Sequence, residues 1–221
     1  MNKSLLLLLA LILNAPVWGG QNPSTAAAAE LEQQLGNITT YSAKFEQLVV
    51  DESGNLLDES AGEFELRRPD RFRWQVREPY SQLLLADGEA LWVFDQDIDQ
   101  VTVQDLDNGL GETPASLLSS REVTVGGDYA VSRSLDEDSG DCFYTLTPTS
   151  ADAMFARLIL IFAGDKLVEL RVNDNLGQET YVHFSDIVLN PDLAADRFRF
   201  NTPEGVDLID SRTVVISEPD T

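Results

Sequence analysis

The period of the apolar positions divides the chain into a helical start and a long β region. Leu31, Leu35 and Ile38 recur at four- and three-residue spacing, behind Ser24 and Thr25, which can cap a helix, and a run of alanines. The spacing predicts an amphipathic helix reaching at least Leu35, with Tyr41 and Phe45 extending its stripe. After Phe45 the period falls to two. Phe64 and Leu66 alternate with Glu63, Glu65 and Arg67, and Phe72, Trp74 and Val76 alternate with Arg73, Gln75 and Arg77. That pattern predicts half-buried strands with a wet outer face. Asp87-Gly88 between Leu83–Ala86 and Ala90–Phe94 is a hairpin signal. Further strands are predicted at Val101–Val103, Tyr129–Ser132, Cys142–Thr147, Arg157–Phe162, Leu167–Val172 and Tyr181–Val188, with turns at Gly164-Asp165 and Asn173 to Gly177. Connections this short require an antiparallel meander rather than βαβ crossovers. Thr113-Pro114 opens a short predicted helix, Ala115 to Ser119, carrying Leu117 and Leu118. A helix inserted in an all-β meander is a candidate lid. Beyond about Arg212 the chain reads as a loose tail or one last strand.

The first residues stand apart from this scheme. Lys3 followed by the apolar run Leu5 to Leu13 has the form of a secretory signal peptide and is too short to span a bilayer. Val17 and Gly19 suit the −3 and −1 sites, so residues 1–19 are expected to be cleaved and residues 20–221 to form a single exported domain. No cysteine follows the apolar run, so lipid attachment to the mature N-terminus is not expected. The lone Cys142 reads as a small core residue and excludes an internal disulfide.

Charge narrows the possible partners. The chain carries 38 acidic and 15 basic residues, a net charge of −23. Nucleic acid and anionic headgroups are therefore poor partners. Such acidity suits solubility or steering toward basic partners. It is also uneven. Arg67, Arg68, Arg71, Arg73 and Arg77 crowd together; no Lys or Arg then occurs before Arg121, while acids including Glu78, Asp87, Asp95, Asp97 and Asp99 fill the gap.

Catalytic chemistry is sparse. His183 is the only histidine, set in the strand pattern Tyr181-Val182-His183-Phe184, and one His with one Cys cannot build a usual zinc site. No Gly-x-Ser-x-Gly elbow or phosphate-cradling glycine loop occurs. The reading is a non-enzyme with no metal, no cofactor and no catalytic residue. What remains is binding. The pattern alone leaves open whether Phe72 and Trp74 fill an ordinary core or line a cavity under the helices.

The segment Leu66-Arg67-Arg68-Pro69-Asp70-Arg71-Phe72-Arg73-Trp74 resembles the outer-membrane lipoprotein carrier (LolA) family. So do Leu31-x3-Leu35-x2-Ile38-x2-Tyr41-x3-Phe45-x-Gln47 before it and Leu84-x2-Asp87-Gly88-x2-Leu91-Trp92 after it. Gln100-Val101-Thr102, Thr113-Pro114-Ala115-Ser116-Leu117-Leu118 and Phe198-x-Phe200-x-Thr202-Pro203-x-Gly205-Val206 follow in order. The resemblance implies an unclosed, half-open antiparallel β-barrel, mainly β with helices, whose helical lid covers a hydrophobic cavity. It implies a monomeric periplasmic chaperone that accepts lipid-modified proteins from an inner-membrane lipoprotein-releasing ABC transporter and delivers them to an outer-membrane lipoprotein receptor. Arg68 matches the family's lid latch. Phe72 matches a residue at the cavity mouth needed for acceptance, Trp74 follows on the same side, and Leu117 and Leu118 match the lid helix; these four are the expected lipid-binding residues. Trp92 matches a family aromatic, with its face unassigned. Ala115 and Ser116 are smaller than the family lid often carries. The alternatives are a carrier of the same fold for another lipid or glycolipid, and the receptor itself, which would need a lipidated N-terminal cysteine.

Overall fold

The computed structural model describes residues 23–106, 114–120, 124–151 and 153–213. The expected cleavage site near Gly19 lies outside the described residues. Helix α1 (Pro23–Gly36) buries Ala27, Ala28, Leu31 and Leu35 along one stripe. Here the structure departs from the expected stripe. The helix stops at Gly36-Asn37, and Tyr41 and Phe45 lie on strand β1 (Thr40–Val50). Four-residue spacing is in phase with both a helical and a two-residue period. The β-branched pair Thr39-Thr40 after a helix-stopping glycine tips the segment to strand.

Eleven further strands follow among the described residues: β2 (Leu56–Arg67), β3 (Arg71–Glu78), β4 (Gln82–Asp87), β5 (Ala90–Asp95), β6 (Gln100–Asp105), β7 (Tyr129–Leu135), β8 (Cys142–Pro148), β9 (Phe155–Ala163), β10 (Lys166–Asp174), β11 (Glu179–Leu189) and β12 (Asp207–Asp210). They form one sheet in the order β12-β6-β5-β4-β3-β2-β1-β11-β10-β9-β8-β7. Pairing is antiparallel except that β12 runs parallel to β6. The end strands β12 and β7 do not pair with each other, so the barrel is unclosed. Helix α2 (Pro114–Ser119) starts on its proline.

The expected turns form. Asp87 ends β4, Gly88 takes φ +101°, and the Asp87 carboxylate accepts the Glu89 and Ala90 amides at 2.9 and 2.8 Å. At Gly164 (φ +59°) β9 turns into β10.

Alternation gives the sheet two apolar faces. The inner face, under the helices, gathers Tyr41 and Phe45 of β1, Phe64 and Leu66 of β2, Phe72 and Val76 of β3, and Phe184 of β11 in one core with Leu31, Leu35, Leu117 and Leu118. The outer face of β3 was expected to be wet, and this is corrected. Gln75 is 1% exposed and Glu65 8%. The chain after β11 crosses this face. Phe198, in a 3-10 helix (Ala195–Phe198), is buried, and Phe200 stacks on Trp92 with centroids 4.9 Å apart. Glu65 binds Arg197 through two bonds of 2.9 and 2.5 Å, and Arg67 donates to the Leu193 carbonyl at 2.9 Å. With Leu83, Leu85, Val101 and Val103 also buried, this strap closes a second, smaller core. Each such side chain contributes about 1.5–3 kcal/mol.

Candidate functional site

Arg68 follows β2 directly, and alternation sets it on the side of Phe64 and Leu66. Its Nε donates to the carbonyl of Ile38, just past α1, at 2.9 Å. Its Nη1 donates to the carbonyl of Ser120, just past α2, at 2.7 Å. One guanidinium therefore bridges the exits of α1 and α2. The Asp70 amide adds a bond to the Ser119 carbonyl at 2.8 Å. Carbonyls at a helix C-terminus lack intrahelical partners, and here the Arg68–Asp70 turn supplies them. Burial pulls the Arg68 guanidinium down to about 10, with the Asp70 charge working against it, so the group stays protonated at neutral pH. Arg68 Nη2 is buried and has no hydrogen-bond partner among the described residues. The bridge is thus made at a desolvation cost that two strong bonds offset.

Beneath this bridge the inner face is aromatic. Trp74 stacks on Phe45 with centroids 3.9 Å apart, and Phe64 lies 5.2 Å from Trp74. Phe184 contacts Tyr41 and Phe64 at 5.8 and 5.7 Å. Tyr41 donates its hydroxyl to the Leu167 carbonyl at 2.6 Å, and burial pushes its phenol up. Phe72, Leu117 and Leu118 are buried in the same cluster, and Trp74 packs against it half-buried. Four strands, β1, β2, β3 and β11, thus present one apolar surface to α1 and α2.

Side-chain hydrogen bonds anchor α1 to the sheet. The carboxylate of Glu32 in α1 accepts the Val125 and Gly126 amides at 2.8 and 3.1 Å. Ser24 Oγ accepts the Val131 amide at 3.1 Å, and Gln34 donates to the Gly164 carbonyl at 2.7 Å. These bonds tie α1 along its length to the β7–β10 half of the sheet. At helix α2 the apolar pair Leu117 and Leu118 is buried, and Arg68 and Asp70 bind its C-terminal end.

Of the residues singled out in the sequence, Arg68, Phe72, Trp74, Leu117 and Leu118 come together. Trp92 does not join them. It pairs with Leu85 on the outer face, and its indole N–H donates to Asp87 at 2.8 Å. His183 is exposed on β11, and Cys142 is buried on β8. Missed in the sequence were Tyr41, Phe45, Phe64 and Phe184 as site residues, and the Asp70 amide. Their two-residue alternation was visible, but which distant strands would adjoin was not.

An unclosed antiparallel barrel with helices laid over an apolar face defines the class. The chain belongs to the outer membrane lipoprotein carrier protein LolA family, whose model matches residues 36–201. Among its relatives are proteins named outer-membrane lipoprotein carrier protein. That of Chromohalobacter salexigens is 40% identical over 84% of this chain and 87% of its own length. That of Legionella pneumophila is 39% identical over 95% of this chain and 99% of its own, and that of Alcanivorax borkumensis 34% over 94% and 98%. Among solved structures, an uncharacterized conserved protein from Thermus thermophilus covers 82% of this chain and 99% of its own at a TM-score of 0.52 and 11% identity, a likeness of fold.

Proposed function

We propose that this protein carries lipid-modified proteins through the periplasm, taking them from an inner-membrane ABC transporter and yielding them to an outer-membrane receptor. The acyl chains lie on the inner face over Phe72 and Trp74, in the place that Leu117 and Leu118 occupy in the empty state. Arg68 is the latch. The observation that carries this reading is the single guanidinium joining the exits of α1 and α2 over an aromatic floor. Family membership and the names of its relatives support the cargo class.

The physics fits transport rather than storage. Each acyl CH₂ exposed to water costs about 0.8 kcal/mol, so a lipoprotein cannot cross an aqueous space unshielded. A carrier must nonetheless let go. Loading requires α2 to lift, which breaks the bonds at Ser119 and Ser120 and exposes Leu117 and Leu118. Reclosing recovers both terms, so the empty state competes with cargo and lowers net affinity. Nothing in this cycle calls on a cofactor or a catalytic residue.

Mass spectrometry of lipid co-purified with the periplasmic protein tests the reading. Tri-acylated lipoprotein is expected. A free glycolipid or phospholipid in its place would overturn the cargo assignment.

A further inference from the structure

The ends of the strands differ. The Arg68 turn and Gly164 lie at one end of the sheet, and the turns β1–β2, β3–β4, β5–β6, β8–β9 and β10–β11 lie at the other, roughly 35 Å away along the 11 residues of β1. At that far end the exposed apolar residues collect: Leu57 is 53% exposed, Ile98 64%, Met154 68% and Leu176 82%. Toward the near end Leu135 and Val188 are exposed, both within strands.

Several of the far turns are in contact. Asn175 donates to the Ala153 carbonyl at 2.8 Å, which joins the turn carrying Leu176 to the turn carrying Met154. Gly177 lies against Glu52 of the β1–β2 turn. Burial raises the Tyr80 phenol in the β3–β4 turn, and the charges of Asp58, next to Leu57, and of Asp95 add to it. The Gln96 amide donates to the Ser81 carbonyl at 3.0 Å, joining that turn to the one that carries Ile98. A rim results, of apolar tips set among Glu52, Asp58, Asp95, Asp97 and Asp99. It takes in two turns, β3–β4 and β5–β6, of the stretch after Arg77 in which the sequence has acids and no cation.

We propose that this rim is a docking surface for a protein face with an apolar centre ringed by lysine or arginine. It rests on the carrier reading in one respect, that such a face belongs to the proteins that give and take cargo. Exposed large side chains on adjoining turns are a poor surface for a free protein and a good one for an interface. The carboxylates select the partner's sign: they repel anionic headgroups and a second copy of this chain, and they steer a basic protein. Distance completes the logic. A partner held at the far rim leaves the Arg68–Ser120 bridge free to open at the other end.

The test measures association of the empty carrier with two purified probes, the soluble form of the outer-membrane receptor and the transporter in detergent. Glu52→Lys with Asp97→Lys should slow association with at least one probe about fivefold or more at low salt, and added salt should narrow the gap. Ile98→Ser with Leu176→Ser should weaken its Kd about tenfold or more. All four sites are exposed, so melting curves should match wild type. Acyl-chain uptake, measured separately with a fluorescent lipid, should not change in any variant, so failed uptake by wild type would fault the carrier reading and not the rim. Unaltered binding of both probes by both variants, no binding by wild type, or a rim effect seen only on anionic vesicles would overturn the proposal.

Discussion

Replacing Arg68 by leucine should trap cargo on the carrier. The guanidinium makes two charge-assisted bonds, to Ile38 at 2.9 Å and Ser120 at 2.7 Å. Bonds of this kind contribute about 1.5–3 kcal/mol each. Against them stand the burial that lowers the group to about 10 and an Nη2 without a partner among the described residues. Loss of the second term offsets part of the first, leaving the closed state weaker by about 1–3 kcal/mol, or roughly 5- to 150-fold in the open–closed balance. Amide exchange in α2 should speed up by a similar factor while α1, tied through Glu32, Ser24 and Gln34, keeps its protection. In a reconstituted assay the variant should accept lipoprotein and pass little of it to the receptor. Arg68→Lys, which keeps the charge and loses the fork, should fall between. Normal transfer with unchanged exchange in α2 would refute the latch.

Phe72→Glu should leave the sheet folded, undock α2 and abolish cargo uptake. The carboxylate then reaches water only by displacing the lid; a collapsed melting temperature would instead make Phe72 plain core. Arg197→Ala leaves the Glu65 carboxylate nearly buried without its fork and should cost about 1–3 kcal/mol in urea unfolding; an unchanged midpoint would contradict the strap's role. Arg212 holds the Asp210 carboxyl down to about 2, from an ordinary value of 3.8. A depressed carboxyl adds stability above its unfolded value and loses it as pH falls through the folded one, so the strap end should hold at about pH 4 and loosen toward about pH 2. Emission of Trp92, which lies under Arg212 and against Phe200, reports this, and Arg212→Ala should move the change to higher pH; no movement would contradict the assignment.

Much of this architecture could be read from residue order. Two-residue alternation marks β2 and β3, and Asp87-Gly88 and Gly164-Asp165 mark hairpins, because these signals are local. Tyr41 and Phe45 misled because a spacing of four satisfies helix and strand alike. The outer core was invisible for another reason: Gln75 and Glu65 look solvated beside their neighbours, and their cover, Arg197 to Phe200, lies more than a hundred residues on. The face of Trp92 was undecidable in the run Leu91-Trp92-Val93, where both faces are apolar. Arg68 stood out by family likeness, yet its partners are backbone carbonyls, which leave no side-chain signature.

The claim at the centre is that acyl chains lie on the inner face beneath α2. A photoreactive amino acid placed singly at position 74, 117 or 92 in the carrier, loaded with a radiolabelled tri-acylated lipoprotein and then illuminated, tests it directly. Adducts to the acyl chains are expected at positions 74 and 117, with none at 92. Adducts at 92, or none at the two inner positions, would contradict it.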